Sequence, residues 1–238
     1  KGPLTAAINY FAGTGNQSYG YFTGAYPTTD TAASSLHRLD YSNDTATMSS
    51  KGNQSTARYA ATASGNASYG WFAGGRDGTP ATTSIVDRVD YGNDTATMVA
   101  KGPLNAVRYY MSSFSNPAYG WYCSGRPDSS KVERIDFSND TGATAPKGPL
   151  TAVRKYVGGV SSRSCANPLT LTPSSTVDKG ADGFTTLSLG PAFGYAIGGS
   201  WPIVSTVDRI DYTNDTATAA VKGSLEITRS AHQSTSNS

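Results

Sequence analysis

One phrase constrains this chain more than any other feature. Lys-Gly-Pro-Leu stands at Lys1, Lys101 and Lys147, with variants at Lys51 (Lys-Gly-Asn-Gln) and Lys222 (Lys-Gly-Ser-Leu). The first three intervals are 50, 50 and 46 residues. A period in this range is the signature of propellers, solenoids and arrays, in which each unit buries its apolar face only against its neighbours. The segments within each unit keep one order. A small-residue stretch such as 56–61 comes first and carries Arg58, Arg108, Arg154 or Arg229, with Ile8 in the first unit. A polar turn follows at Asn16, Asn66 and Asn116. Next is an aromatic run: Tyr19-Gly20-Tyr21-Phe22, Tyr69-Gly70-Trp71-Phe72, Tyr119-Gly120-Trp121-Tyr122 and Phe193-Gly194-Tyr195-Ala196. Glycine closes it, doubled at Gly74-Gly75 and Gly198-Gly199. After a variable loop comes a segment ending on Tyr41, Tyr91, Phe137 or Tyr212, then an Asn-Asp turn at Asn43, Asn93, Asn139 or Asn214.

Each unit thus holds four short β-prone runs bounded by turn residues. Gly, Ser, Thr and Asn interrupt every stretch before a helix of three turns could form. Four antiparallel strands in about 50 residues make one propeller blade; they are named a to d from inside to outside. The expectation is a single all-β, β-propeller domain of about five blades, with units 1–50, 51–100, 101–146, 147–188 and 189–221 and a partial unit 222–238. The 75 residues from Lys147 to Lys222 are too many for one blade and few for two. Ser175-Thr176-Val177-Asp178 reads as the start of another strand c, and Leu189-Gly190-Pro191 as a degenerate phrase running into strand b at Phe193. On this reading the tail carries an unpaired strand a, and an open edge invites pairing with other copies. Four blades plus an insertion is one alternative. A piece of a longer repeat array is another, favoured by a chain that opens on its own internal phrase.

The double glycine, the variable loop and then Val207-Asp208-Arg209-Ile210-Asp211 resemble the Kelch repeat. The wording from Ser205 to Thr216, followed by Lys222-Gly223, is similar to repeats in virion structural and tail-fibre-like proteins of marine bacteriophages. The likeness spans nearly the whole chain except about 156–175. It implies a non-enzymatic structural or adhesion module, placed in a virion or outside the cell. Its implied partners are other copies of itself, other virion proteins, and a glycan or protein on a host surface. The outer-strand Trp usual in Kelch repeats is missing, with Ala46, Ala96, Gly142 and Ala217 in its neighbourhood. A propeller is a scaffold for many activities, so function must be argued from particular residues.

The net charge of +2 gives no electrostatic footprint for nucleic acid. No run of about 18 apolar residues is present to enter a membrane as a helix. Cys123 and Cys165 are too few for a disulfide framework and lack metal-ligand spacing. The histidines, His37 and His232, neither recur nor sit in a motif; His37 takes the strand c place of Asp87 and Asp208 and is expected to be exposed. Asp178-x-Gly180-x-Asp182-Gly183 opens like a calcium loop, but its twelfth position is Leu189, which carries no carboxylate. No nucleophile elbow, phosphate loop or zinc pattern appears. No catalytic residue, metal or cofactor is therefore expected; a propeller glycosidase or oxidase is the remote alternative. Seven N-x-S/T sequons, at Asn16, Asn43, Asn53, Asn66, Asn93, Asn139 and Asn214, follow the repeat and read mostly as turn chemistry.

In a four-stranded meander the b–c and d–a loops share one face. The b–c loops at 25–34, 76–83, 126–130 and 200–205 differ freely between units. Variable loops on a rigid scaffold are where recognition usually sits. They supply the ligand-binding candidates Tyr26, Arg76, Asp77, Arg126, Asp128 and Trp201, suited to a polar or sugar ligand. The alternative is a multivalent lectin with one weak site per blade, gaining strength by repetition. Strand alternation puts Arg88 and Asp90 on one face of strand c. The recurring pairs Arg38/Asp40, Arg88/Asp90, Arg134/Asp136 and Arg209/Asp211 are expected to form structural ion pairs between packed blades. The aromatic runs are expected to be the core between blades.

Overall fold

The structure, a computed structural model, describes residues 2–3, 9–24, 32–77, 81–161, 193–200 and 204–229. Its strands form four antiparallel four-stranded sheets, each a meander in chain order. The first contains β1 (Ala12–Gly15), β2 (Tyr19–Thr23), β3 (Ser35–Asp40) and β4 (Ser49–Asn53). The second contains β5 (Thr62–Gly65), β6 (Tyr69–Ala73), β7 (Val86–Asp90) and β8 (Val99–Lys101). The third contains β9 (Ser112–Ser115), β10 (Tyr119–Cys123), β11 (Val132–Asp136) and β12 (Ala145–Lys147). The fourth contains β13 (Gly158–Ser161), β14 (Phe193–Ile197), β15 (Val204–Asp211) and β16 (Ala220–Arg229). Among the described residues there is no α-helix; single 3-10 turns lie at Tyr41–Asn43 and Tyr91–Asn93.

The turns follow from short polar side chains. The Asn66 Oδ1 accepts from the backbone N–H of Ser68 and Tyr69, which closes the β5–β6 hairpin; Asn16 and Asn116 do the same in their blades. At the end of strand c, the Asp90 carboxylate accepts from Gly92 N–H, and Asp40, Asp136 and Asp211 accept from Ser42, Ser138 and Thr213. Hydrogen bonds from Ser42, Ser138 and Thr213 hold the carboxyls of Asp40, Asp136 and Asp211 below their ordinary value.

Strands β1, β5, β9 and β13 pack side by side in that order, so the sheets radiate from a common centre as propeller blades do. The core lies between blades. One cluster joins Tyr21 and Leu36 to Phe72 and Tyr91; the next joins Trp71 and Val86 to Met111 and Phe137; the third joins Trp121 and Val132 to Val157 and Ile210. The aromatic runs are thus core, as expected: Trp71 and Trp121 are fully buried. Trp71 stacks on Phe137 at 3.9 Å between ring centroids, and Trp121 on Tyr212 at 4.1 Å, each pair joining neighbouring blades.

Four expectations are corrected. The described residues form four blades, not about five. Gly158–Ser161 pairs directly with Phe193–Ile197, so strand a after Lys147 and strand b at Phe193 belong to one sheet. This is the alternative of four blades plus an insertion; residues 162–192, including the calcium-like stretch, lie outside the described residues. Second, the Lys-Gly phrase ends strand d. Lys51-Gly52 lies in β4, and Lys222-Gly223 lies in β16, which pairs with β15 up to Arg229. The tail therefore extends strand d where an unpaired strand a was expected.

The third correction concerns the ion pairs. Arg38, Arg88 and Arg134 do bridge blades, but to Asp94, Asp140 and Asp215 of the next blade's Asn-Asp turn, at 2.8, 2.9 and 2.9 Å. Asp40, Asp90, Asp136 and Asp211 are occupied as turn caps. The guanidinium instead lies over the first aromatic ring of its own strand b: Arg38 over Tyr19, Arg88 over Tyr69, Arg134 over Tyr119 and Arg209 over Phe193. A second set of ion pairs is deeper. Arg58 meets Asp87 at 2.7 Å with both side chains fully buried; Arg154 meets Asp208 likewise, and Arg108 meets Glu133 at 2.9 Å. His37, which takes the acidic place in the first blade, is 8% exposed rather than solvent-facing, and burial lowers its pKa from 6.5.

Candidate functional site

The face that carries the b–c loops is built at the entry to strand a. Tyr59 and Arg76 exchange both backbone hydrogen bonds at 2.9 Å, and Tyr109 and Arg126 exchange theirs at 3.1 and 2.7 Å. Lys155 and Ser200 form the matching bridge in the fourth blade. Each bridge fixes the first residue of a variable loop against the residue that leads into strand a. The glycine just before the bridge, Gly75, Gly125 or Gly199, makes this possible. Gly75 has φ +106°, and a Cβ there would meet the Tyr59 carbonyl oxygen at 2.6 Å.

The next residue in each blade is left-handed although it is not glycine. Tyr10, Ala60, Tyr110 and Tyr156 have φ of 51, 55, 53 and 53°. Such a conformation is uncommon for bulky side chains, and its recurrence marks a constraint. The constraint is a hydrogen bond between blades. Ala60 N–H donates to Tyr10 C=O, Tyr110 to Ala60, and Tyr156 to Tyr110. Among the described residues the series ends there, with no bond from Tyr10 to Tyr156.

This backbone turns the tyrosines toward the centre. The Tyr110 ring lies 5.5 Å from Tyr10, 4.3 Å from Tyr156 and 4.8 Å from Tyr109. Tyr59 adds a contact to Tyr10 at 6.2 Å. Two candidates from different loops meet here: the guanidinium groups of Arg76 and Arg126 lie 5.0 and 5.9 Å from the Tyr109 ring centroid. Asp128, a third candidate, pairs with Lys155 at 3.4 Å. Asp77 sits at the start of its loop, where its N–H donates to Ala81 C=O. Tyr26 and Trp201 lie outside the described residues. Burial and neighbouring tyrosines raise the Tyr110 hydroxyl well above its ordinary value, so it stays a neutral donor and acceptor.

Tyr10, Tyr110 and Tyr156 line a cavity of about 220 Å³, to which all four blades contribute, including Thr62, Ser112 and Ser113. Enclosed pockets for drug-sized ligands are larger, roughly 300–1,000 Å³. Among the described residues no cluster of three or more His, Cys, Asp or Glu could hold a metal. The Cys123 thiol is fully buried and pushed up to about 12 by burial. A thiol so rarely ionised is a poor nucleophile.

The central tyrosines and Tyr59 and Tyr109 were not among the sequence candidates. Their signal was present: they follow the recurring arginines, as Arg58-Tyr59, Arg108-Tyr109-Tyr110 and Arg154-Lys155-Tyr156. The deep acidic partners also left a trace, since the first blade lacks both members, with Ile8 for arginine and His37 for the acid. No protein-family profile matches the chain, and no curated protein matches it.

Proposed function

We propose that the chain is a non-enzymatic recognition module, a Kelch-like propeller scaffold whose b–c face binds a polar, glycan-bearing surface. One observation carries the reading: Arg76 and Arg126, from two different variable loops, converge on Tyr109 beside a run of central tyrosines. Flat aromatic faces with adjacent guanidinium donors suit sugar rings and their hydroxyl or acidic substituents. Tyrosine and arginine are also the residues most enriched at energetic centres of interfaces. The likeness to phage tail-fibre-like repeats supports a place in a virion or outside the cell, with a host surface as partner.

A glycan array probed with the whole chain tests this. Tyr109→Ala and Arg126→Ala each lower binding at least about tenfold, or about 1.4 kcal/mol, with the thermal midpoint little changed. Binding that survives both substitutions, or no glycan binding by the unaltered chain, overturns the reading. The alternative of one weak lectin site per blade differs in stoichiometry. A single composite site binds one ligand per chain, whereas repeated sites bind several.

A further inference from the structure

We propose that the ligand of the b–c face is an acidic glycan, one whose sugar rings carry a carboxylate or a sulfate ester, and that Arg126 selects for that charge. The inference rests on the glycan reading above and deepens it, since a guanidinium beside an aromatic ring serves a neutral hydroxyl as well. What separates the two ligand classes is whether the chain itself already neutralises the guanidinium.

Elsewhere the fold does so. Arg38, Arg88 and Arg134 hold the carboxylates of Asp94, Asp140 and Asp215 at 2.8–2.9 Å. The deeper Arg58, Arg108 and Arg154 hold Asp87, Glu133 and Asp208. On the b–c face Lys155 is met by Asp128 at 3.4 Å. Arg126 departs from this pattern. It is exposed, and among the described residues it forms no ion pair. Its guanidinium lies 5.9 Å from the Tyr109 ring centroid, and that of Arg76 lies 5.0 Å from the same ring. Two like charges held against one ring repel each other, and an anion set between them replaces that repulsion by attraction.

The backbone places both cations before any ligand arrives. Arg126 N–H donates to Tyr109 C=O at 2.7 Å, and Arg76 N–H to Tyr59 C=O at 2.9 Å. A donor fixed in advance loses less entropy on binding. The matching place in the fourth blade is Ser200, which is uncharged and buried. The positive charge is therefore gathered on the second and third blades, where one anionic substituent is attracted to both guanidinium groups. A planar guanidinium grips an oxyanion through two parallel N–H···O bonds, each roughly twice as strong as a neutral one. The half-buried rings of Tyr110 and Tyr156, 4.3 Å apart, lie beside it as surfaces for the sugar.

Calorimetric titration of the whole chain tests the proposal, with an oligogalacturonate against its methyl ester and a sulfated dextran oligomer against plain dextran. Each pair shares its rings and differs in charge. The chain binds the charged member of at least one pair about tenfold or more tightly than the neutral one, and the pair that shows this names the anion. The preference fades as salt rises from about 0.01 M to about 1 M. Arg126→Gln abolishes the preference and Arg126→Lys keeps part of it, with the thermal midpoint of both in place. Lys222→Gln removes the same charge from an exposed place on β16 and leaves the preference unchanged. An equal loss in Lys222→Gln would trace the preference to net charge and overturn the role of Arg126. A chain that binds the neutral members, or neutral glycans on the array, as tightly as the charged ones overturns this proposal and leaves the glycan reading standing. Binding to no glycan of either class overturns both.

Discussion

The deepest charges in the molecule tie the segment that leads into strand a to strand c of the same blade. Arg58 donates to Asp87 and to Phe72 C=O, and Asp87 also takes Ser55 N–H and Oγ–H. A buried pair stripped of one member leaves an uncompensated charge, at about 3–5 kcal/mol. Arg58→Ala should therefore lower stability by that amount in urea unfolding. Arg88→Ala should lose only about 1–3 kcal/mol, since its side chain is 25% exposed and Asp140 keeps Trp71 and Lys101. The repeat supplies a further test, because the first unit of the sequence has Ile8 and His37 at the corresponding positions. Asp87→His should recover part of the loss caused by Arg58→Ile, and additive losses would show that the two positions are uncoupled. His37 makes stability pH-dependent. Its folded pKa lies below 6.5 because burial disfavours the charged ring, so the unfolded chain takes up the proton first. Its contribution is fully present above 6.5 and is lost as pH falls through the folded value. His37→Asn should flatten the stability profile just below pH 6.5, read from urea midpoints against pH.

At the scale of the element, the Lys-Gly phrase explains itself as a joint rather than as the start of a unit. Its lysine reaches the carboxylate of the next blade, and its glycine lets two backbones touch. Gly102 and Gly142 separate these effects. A Cβ on Gly102 would lie 1.8 Å from Gly142 C=O, whereas one on Gly142 meets nothing within 4 Å. Gly102→Ala should lower stability by about 1–3 kcal/mol through forced backbone movement. Gly142→Ala should stay within about 0.5 kcal/mol, as Ala46, Ala96 and Ala217 at the same place imply. Thermal unfolding of the two variants side by side checks the contrast. Equal losses would mean that the joint tolerates a methyl group and that the phrase recurs for another reason.

For the whole molecule, the joint matters more than the blade. Each cluster of core residues draws on two sheets, so a single blade has no core of its own. That makes the stability of the array a sum of joints. The same radial arrangement gathers side chains that the chain keeps far apart. Tyr10, Tyr110 and Tyr156 reach one centre because each occupies the same place in its blade.

Much of this was legible in the chain itself. A period near 50 residues, with four β-prone runs between fixed turn residues, determines a four-stranded blade, because the pattern is local and repeats. The aromatic core and the existence of arginine pairs between blades were legible for the same reason. The tertiary structure alone decided which carboxylate each arginine meets. Strand alternation puts Arg88 and Asp90 on one face, but Asp90 turns to cap Gly92 N–H while Asp140 arrives from another blade, 52 residues away. It also decided that Gly158–Ser161 pairs across 162–192 with Phe193–Ile197, a hydrogen-bond register that no local pattern records. The meeting of Arg76 and Arg126 on Tyr109 has the same origin: their distance along the chain carries no information about a shared centre, which exists only once the blades are set side by side.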